Sequence, residues 1–430
     1  MVGGDVAGVT REAVEAVWRI ESARLIGGLV RIVRDVALAE DLAQEALVVA
    51  LERWPAAGIP ENPGAWLMAT ARNRAVDQAR WRQMQLRKHD ALAQEASAEP
   101  AAHPEIEASL DDDVGDDLLR LILIACHPVL STEARAALTL RLVGGLTTGE
   151  IARAFLVPEP TIAQRIVRAK RTLAEARVPF EVPRGADLSA RLGSVLEVVY
   201  LVFNEGYTAT KGDDWIRPEL CEEALRLGRV LAVLAPDEAE VHGLVALMEL
   251  QASRLRARVG PSGEPILLLD QDRSRWDQLL VHRGLAALAR AEALRRPLGP
   301  YTLQAAIAGC HARARTAAET DWTRIVALYD GLAEVTGSPV VELNRAVAVS
   351  MAFGPAAGLE IADALAGEPA LARYHLLPAV RGDLLAKLGR REEACAELER
   401  AAALAQNARE RELLLARARE CGGAAVVGRA

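Results

Sequence analysis

Residues 146–173, LTTGEIARAFLVPEPTIAQRIVRAKRTL, carry the side chains best suited to gripping another molecule. Thr147 or Thr148 can cap a first helix, with Glu150 an early acidic residue behind it. Ile151, Ala152 and Phe155 give that helix an apolar face, and Leu156-Val157-Pro158 ends it. A second helix starts near Glu159-Pro160, since proline is tolerated in a first turn. Ile162, Ile166, Ala169 and Leu173 recur at helical spacing and point inward. Gln164, Arg165, Arg168, Lys170 and Arg171 lie mostly elsewhere on the surface. Arginine grips guanine bidentately, glutamine pairs with adenine, and further arginine or lysine neutralises phosphate. A turn between two helices, followed by such a face, fits a DNA major groove. The plainer reading of the same pattern is a solvated helix of a bundle.

A second cluster lies in residues 64–88, GAWLMATARNRAVDQARWRQMQLRK. Trp66, Leu67, Ala71 and Val76 suggest a packed helix, with Trp66 in the core. Arg72, Arg74, Arg80, Arg82, Arg87 and Lys88 crowd the rest, opposed mainly by Asp77. Basic residues interleaved with Asn73 and Trp81 can follow a phosphate backbone and hold an unstacked base. The helix before it, AEDLAQEALVVALERW, turns Leu42, Ala46 and Val49 inward. Asp41, Gln44, Glu45 and Glu52 stay outside, as a solvated acidic face or as a docking face for a basic partner.

The elements that must position these residues are helical. The chain has 430 residues, half of them hydrophobic, with only 4% aromatic. Ala, Leu, Arg and Glu dominate, which favours an all-α protein of two to four domains. The net charge of −8 is unusual for a protein that binds DNA unaided, so contact must come from local basic patches or be helped by a partner. Five dispersed cysteines argue against a disulfide framework and fit a reducing cytoplasm. Cys126-His127 and Cys310-His311 lack metal-ligand spacing, so neither metal nor cofactor is expected. No apolar run reaches about 18 residues without charge, so no membrane span is expected.

Residues 89–117, rich in Ala, Glu, Pro and Asp and closing on DDDVGDD, read as a flexible acidic linker. Two helices follow, LLRLILIACHPVL and STEARAALTLRLVGG, with Ser131 a plausible cap for the second.

Three stretches, taken together, resemble the bacterial sigma factors of RNA polymerase. Asp41-Leu42-Ala43-Gln44-Glu45 looks like the helix that binds core enzyme. Residues 65–80 resemble the promoter-melting part of the second conserved region, and residues 146–173 resemble the fourth region, which reads the minus-thirty-five element. The absence of a long intervening module points to the extracytoplasmic-function (ECF) type of the sigma-70 family. The resemblance implies that Asp41, Gln44 and Glu45 face the polymerase, through its beta and beta-prime subunits. It places Arg72, Asn73, Arg74, Asp77 and Arg80 near the melted minus-ten strand, with Asn73 the best candidate for a flipped base. Thr161, Gln164, Arg165 and Arg168 match the face on the minus-thirty-five duplex, and Arg171 is grouped with them. Ala46-Leu47 stands where many members have a threonine and an aromatic residue, and Ala163 where many have a cation.

The expected organisation is residues 1–94 for sigma region 2, 95–116 for the linker and 117–183 for region 4. Residues 184–430 would form a helical extension resembling tetratricopeptide repeats (TPR). The last assignment rests on Leu388-Gly389-Arg390 between two amphipathic helices, with the small Ala394 following, and on Asn344-Arg345-Ala346-Val347-Ala348 about one repeat upstream. Stacked hairpins of this kind bind protein partners. The acidic motifs NEGYTATKGDDW and DQDRSRWD supply Glu205, Asp213, Asp214, Asp270, Asp272 and Asp277. These suit helix capping better than catalysis, and no enzymatic activity is expected. The whole implies a cytoplasmic sigma subunit that binds core RNA polymerase and promoter DNA, with an extension that regulates or supports it and has its own protein partner. Two other readings fit the motifs less fully: a stand-alone helix-turn-helix repressor with a TPR sensor, and a TPR scaffold whose first half is a relic.

Overall fold

The structure, a computed structural model, describes residues 3–91, 114–155, 157–180, 182–183, 186–208, 216–261 and 263–423. Among these every regular element is helical, apart from an isolated bridge between Val259 and Pro265. The chain divides into two compact units, Met1–Val198 and Val199–Ala430.

The first unit contains α1 (Gly3–Val33), α2 (Val36–Ala57), α3 (Pro63–Ala91), α4 (Val114–Ala125), α5 (Thr132–Leu142), α6 (Thr148–Phe155), α7 (Glu159–Glu175) and the first half of α8 (Ala186–Tyr207). Helix α1 is the axis of this unit, packing on α2, α3 and α4. Its inward stripe is Val14, Leu25, Ile26, Leu29 and Val30, while Ile20 is 67% exposed. Gly27 and Gly28 permit the close approaches. A Cβ at Gly27 would lie 2.6 Å from the Asp117 carbonyl oxygen of α4, where backbone cannot yield. One at Gly28 would meet the Met68 methyl of α3 at 2.6 Å, a flexible neighbour.

The helix starts follow local chemistry. Asp35 caps α2 by accepting from the Leu38 N–H at 3.0 Å, and Ser131 caps α5 by accepting from that of Ala134 at 3.3 Å. Before α6, the Thr147 hydroxyl accepts from the Glu150 N–H at 3.2 Å and the Glu150 carboxylate accepts from the Thr147 N–H at 2.7 Å, a reciprocal capping box. Pro160 sits in the first turn of α7.

The acidic run that closes the expected linker is partly structural. Helix α4 begins at Val114, and Asp117 is buried, paired with Arg31 at 3.3 Å and with Arg120. A carboxylate held between two guanidiniums tolerates burial that a solvated linker residue would not. Residues 92–113, the rest of that expected linker, lie outside the described residues.

The second unit continues through α9 (Pro218–Leu234), α10 (Ala239–Ala252), α11 (Gln278–Ala293), α12 (Pro300–Arg313), α13 (Trp322–Thr336), α14 (Pro339–Phe353), α15 (Pro355–Ala364), α16 (Leu376–Lys387), α17 (Arg391–Leu404) and α18 (Ala408–Gly423). From α12 onward each helix packs on the next in the chain. Small residues bring the axes together. Gly382 of α16 faces Leu398 and the Ala394 carbonyl of α17, and Ala394 is wholly buried. Gly389, at φ 76°, makes the turn between those two helices.

Candidate nucleic-acid interface

Helix α7 has the two faces that its spacing predicts. Ile162, Ile166, Ala169 and Leu173 are buried. Gln164, Arg168 and Arg171 are exposed, and Thr161 and Arg165 are half-buried beside them. Arg171 pairs with Glu175 at 3.3 Å, one turn on, in a solvent-exposed ion pair. Lys170 points elsewhere, as described below.

On α2 and α3 the expected docking and strand-binding sets meet. Asp41 and Glu45 are exposed on α2; Asn73, Arg74 and Asp77 are exposed on α3, with Arg72 half-buried. Arg74 forms an ion pair with Glu45, so one residue from each set is joined. Trp66 is half-buried and sets its edge against the buried Trp54, with centroids 5.4 Å apart, as a core aromatic does. The side chain of Arg80, like those of Trp81, Arg82, Arg87 and Lys88, lies outside the described residues.

Gln44 is turned inward. Its Nε2 donates to Glu40 at 3.0 Å. Glu40 is 5% exposed and receives Arg141 Nε of α5 at 2.9 Å and the Lys170 ammonium of α7. Arg141 also donates to the Leu146 carbonyl at 3.3 Å, at the entry to the helix-turn-helix. A cavity of about 260 Å³ opens at this junction, lined by Trp18, Ser22, Glu40, Gln44, Arg141 and Gly145 among others. One buried carboxylate of α2 therefore holds two cations, one on α5 and one on α7. The sequence reading passed over Glu40. The signal was present: Val36, Ala39, Ala43, Ala46 and Ala50 form the buried stripe of α2, and Glu40 falls within it. A carboxylate on an apolar stripe calls for a cationic partner.

Asp272, Asp277 and Glu205 of the acidic motifs take structural roles. Asp272 accepts from the Ser274 N–H at 2.9 Å, and Asp277 caps α11 by accepting from Leu279 and Leu280. Glu205 lies within α8 rather than in a turn, and pairs with Arg217. Asp213 and Asp214 lie outside the described residues. Burial pushes the Cys126 thiol up to about 11, far from a thiolate, and its Sγ lies 3.2 Å from the Thr139 hydroxyl. Among the described residues no group of three or more His, Cys, Asp or Glu side chains is placed to hold a metal, and no helix is long and apolar enough to cross a membrane.

A helix-turn-helix with a Gln/Arg face beside a helical module with acidic and basic surfaces fits a DNA-binding protein. Comparison with known families agrees. Residues 20–84 match the model of Sigma-70 region 2, and residues 120–173 match that of Sigma-70 region 4. Residues 191–292 match a family of unknown function, DUF6596. A Rhizobium meliloti protein, "Uncharacterized protein R00370", is 44% identical over 398 residues, 90% of each chain. The "ECF RNA polymerase sigma factor SigL" of Mycobacterium tuberculosis is 31% identical over 147 residues, 33% of this chain and 76% of SigL. The "Probable ECF RNA polymerase sigma factor SigI" of the same species is 30% identical over 185 residues, 40% of this chain and 58% of SigI. No solved structure matches. The chain belongs to the ECF sigma factors of the sigma-70 family, and is an alternative sigma factor that carries a long helical extension.

Proposed function

We propose that this sigma factor docks on core RNA polymerase through the face of α2 bearing Asp41 and Glu45, reads duplex DNA at the minus-thirty-five element with α7, and captures the melted minus-ten strand with α3. Thr161, Gln164, Arg165, Arg168 and Arg171 carry the duplex contacts; Arg72, Asn73, Arg74, Asp77 and Arg80 carry the strand contacts. Asn73 is exposed between two arginines, which supports it as the residue that takes the edge of an unstacked base. The observation that carries the reading is the division of α7 into a buried apolar stripe and an outward Gln/Arg face.

Glu40 gives this reading a conformational step. The two promoter elements lie many base pairs apart, at about 3.4 Å of duplex for each. With Lys170 of α7 held on Glu40 of α2, the two modules cannot occupy both elements. The contact between Glu40 and its two cations, together with the packing of α4 on α1, must therefore open on the polymerase. The extension regulates or supports this step through a TPR-like surface that binds a protein partner. The small-residue packing at Gly382 and Ala394 and the turn at Gly389 favour the TPR-like reading.

Run-off transcription with purified core enzyme, on a promoter taken from upstream of the protein's own gene, tests the proposal. A specific transcript is expected, lost when Asp41→Lys and Glu45→Lys are combined. Neither a transcript nor retention by core enzyme would overturn it.

A further inference from the structure

In the second unit three arginines gather around two aromatic rings. The Arg258 guanidinium lies 3.6 Å from the centroid of Tyr207. That of Arg254 lies 5.8 Å from both Tyr207 and Trp276, and that of Arg273 lies 5.0 Å from Trp276. Tyr207 and Trp276 are 9% and 4% exposed. The three cations are held differently. Arg273 donates to the carbonyls of His311 and Ala314 at 2.6 and 2.7 Å and to the Thr320 hydroxyl at 3.1 Å, so it is a structural clasp. Arg258 is buried and donates to the Thr208 hydroxyl at 2.9 Å. Arg254 is half-buried and has neither a hydrogen-bond acceptor nor a carboxylate among the described residues.

The surroundings of Arg254 are rich in donors and poor in acceptors. The Nε–H of Arg254, the Nε–H of Arg273 and the indole N–H of Trp276 are buried without a partner, as is Nδ1 of His311, itself 7% exposed. Aromatic faces attract a guanidinium but supply no negative charge and no lone pair. Buried donors are ordinarily satisfied, and gathered cations repel one another at low dielectric. Among the described residues Glu319 acts on Arg273 while no carboxylate pairs with Arg254, so Arg254 there lacks a group that is both anionic and rich in acceptors.

We propose that Arg254, between Tyr207 and Trp276 and reinforced by the charges of Arg258 and Arg273, binds the oxyanion group, a carboxylate or phosphate, of a small-molecule ligand. The rings are too deeply buried to meet a broad macromolecular surface, so a compact head group is the fitting occupant. His311 is consistent with this: burial, together with Arg254 and Arg273, pushes its imidazole down to about 3, so it stays neutral and adds no further charge.

The test uses the full chain and no DNA, so it is independent of the transcriptional reading. Inorganic phosphate and citrate are titrated separately, with thermal unfolding and calorimetry as readouts and sodium chloride at matched ionic strength as control. Saturable stabilisation beyond the salt control is expected. Arg254→Gln should weaken it about tenfold or more, since charge-assisted contacts to an oxyanion are the strong ones. The exposed Arg256→Gln should not. A response to phosphate alone assigns a phosphate ligand; a response to citrate alone assigns a carboxylate. A response in neither case beyond salt, or an equal response in Arg254→Gln, overturns the proposal. If Arg254→Gln fails to fold by circular dichroism, emission from the wild type and from Trp276→Phe is compared during titration. A saturable change confined to the wild type supports the site, and no such change overturns it.

Discussion

Glu40 in the first unit and Arg254 in the second are opposite solutions to buried charge. Around Glu40 one carboxylate receives two cations and an amide, all from the chain itself. Around Arg254 the cations accumulate, and aromatic rings stand where carboxylates would be expected. The first centre satisfies its carboxylate from within the chain and, on the proposed function, ties elements that must separate. The second leaves Arg254 without a carboxylate among the described residues, which is what the proposed oxyanion would supply. On these two proposals one type of interaction serves as an internal lock when closed and as a receptor when left open.

The sharpest way to break the comparison is at Glu40. Removing one partner of a buried ion pair costs about 3–5 kcal/mol, because the remaining charges stay desolvated. Here Arg141 and Lys170 can escape that cost if the modules part. Glu40→Ala removes the tie of α5 and α7 to α2 while α4 stays packed on α1, and is therefore expected to expand the free protein in part, raising its radius of gyration in small-angle scattering. It should also lower the core-enzyme concentration needed for half-maximal transcription. Exchanging the charges, Glu40→Lys with Lys170→Glu, should recover part of the compaction. A compact Glu40→Ala variant would show that the contact is no lock.

A smaller effect sharpens the other side. His311 touches the edge of Trp322 at 5.2 Å between ring centroids and lies in the field of Arg254 and Arg273. Its folded pKa of about 3 is below its ordinary value of 6.5. The unfolded chain thus binds the proton first. The stability held by the neutral imidazole is complete above pH 6.5 and is lost as pH falls from there towards 3. One proton corresponds to at most about 1.4 kcal/mol per pH unit, or roughly 2 kcal/mol between pH 6.5 and 5. Denaturant unfolding followed by Trp fluorescence at those two pH values should show this loss in the wild type and a flatter profile in His311→Gln. An unchanged slope in the variant would remove His311 from the account.

The unequal visibility of the two centres in the sequence has a physical cause. The faces of α7, the Ser131 cap and the turn at Pro158 follow from local periodicity and turn chemistry, which neighbouring residues dictate. The helix-turn-helix cap was open between Thr147 and Thr148; the three-residue spacing to Glu150 makes Thr147 the partner. The Glu40 junction was not legible, because Arg141 lies 101 residues further on and chain order does not announce that meeting. The Arg254 cluster draws on α8, α12 and the segment between α10 and α11, and only folding brings its rings and cations together. Asp117 was misjudged for the same reason. Its acidic neighbours suggested a solvated run, while its partner Arg31 sits on a distant helix.

Arg74 and Glu45 offer the smallest stability effect and a separate test of function. Both are substantially exposed, at 43% and 53% of their side chains, so water and salt screen the pair and its worth is below about 1 kcal/mol. Arg74→Ala should leave the unfolding midpoint nearly unchanged. If Arg74 contacts the melted strand, open-complex formation, followed by permanganate reactivity of minus-ten thymines, should nevertheless fall about tenfold. Binding of the sigma factor to core enzyme without DNA should hold or improve, because Glu45 is released for docking. A loss of core binding of the same size would instead place Arg74 in the polymerase contact, moving it from the strand-binding set to the docking set.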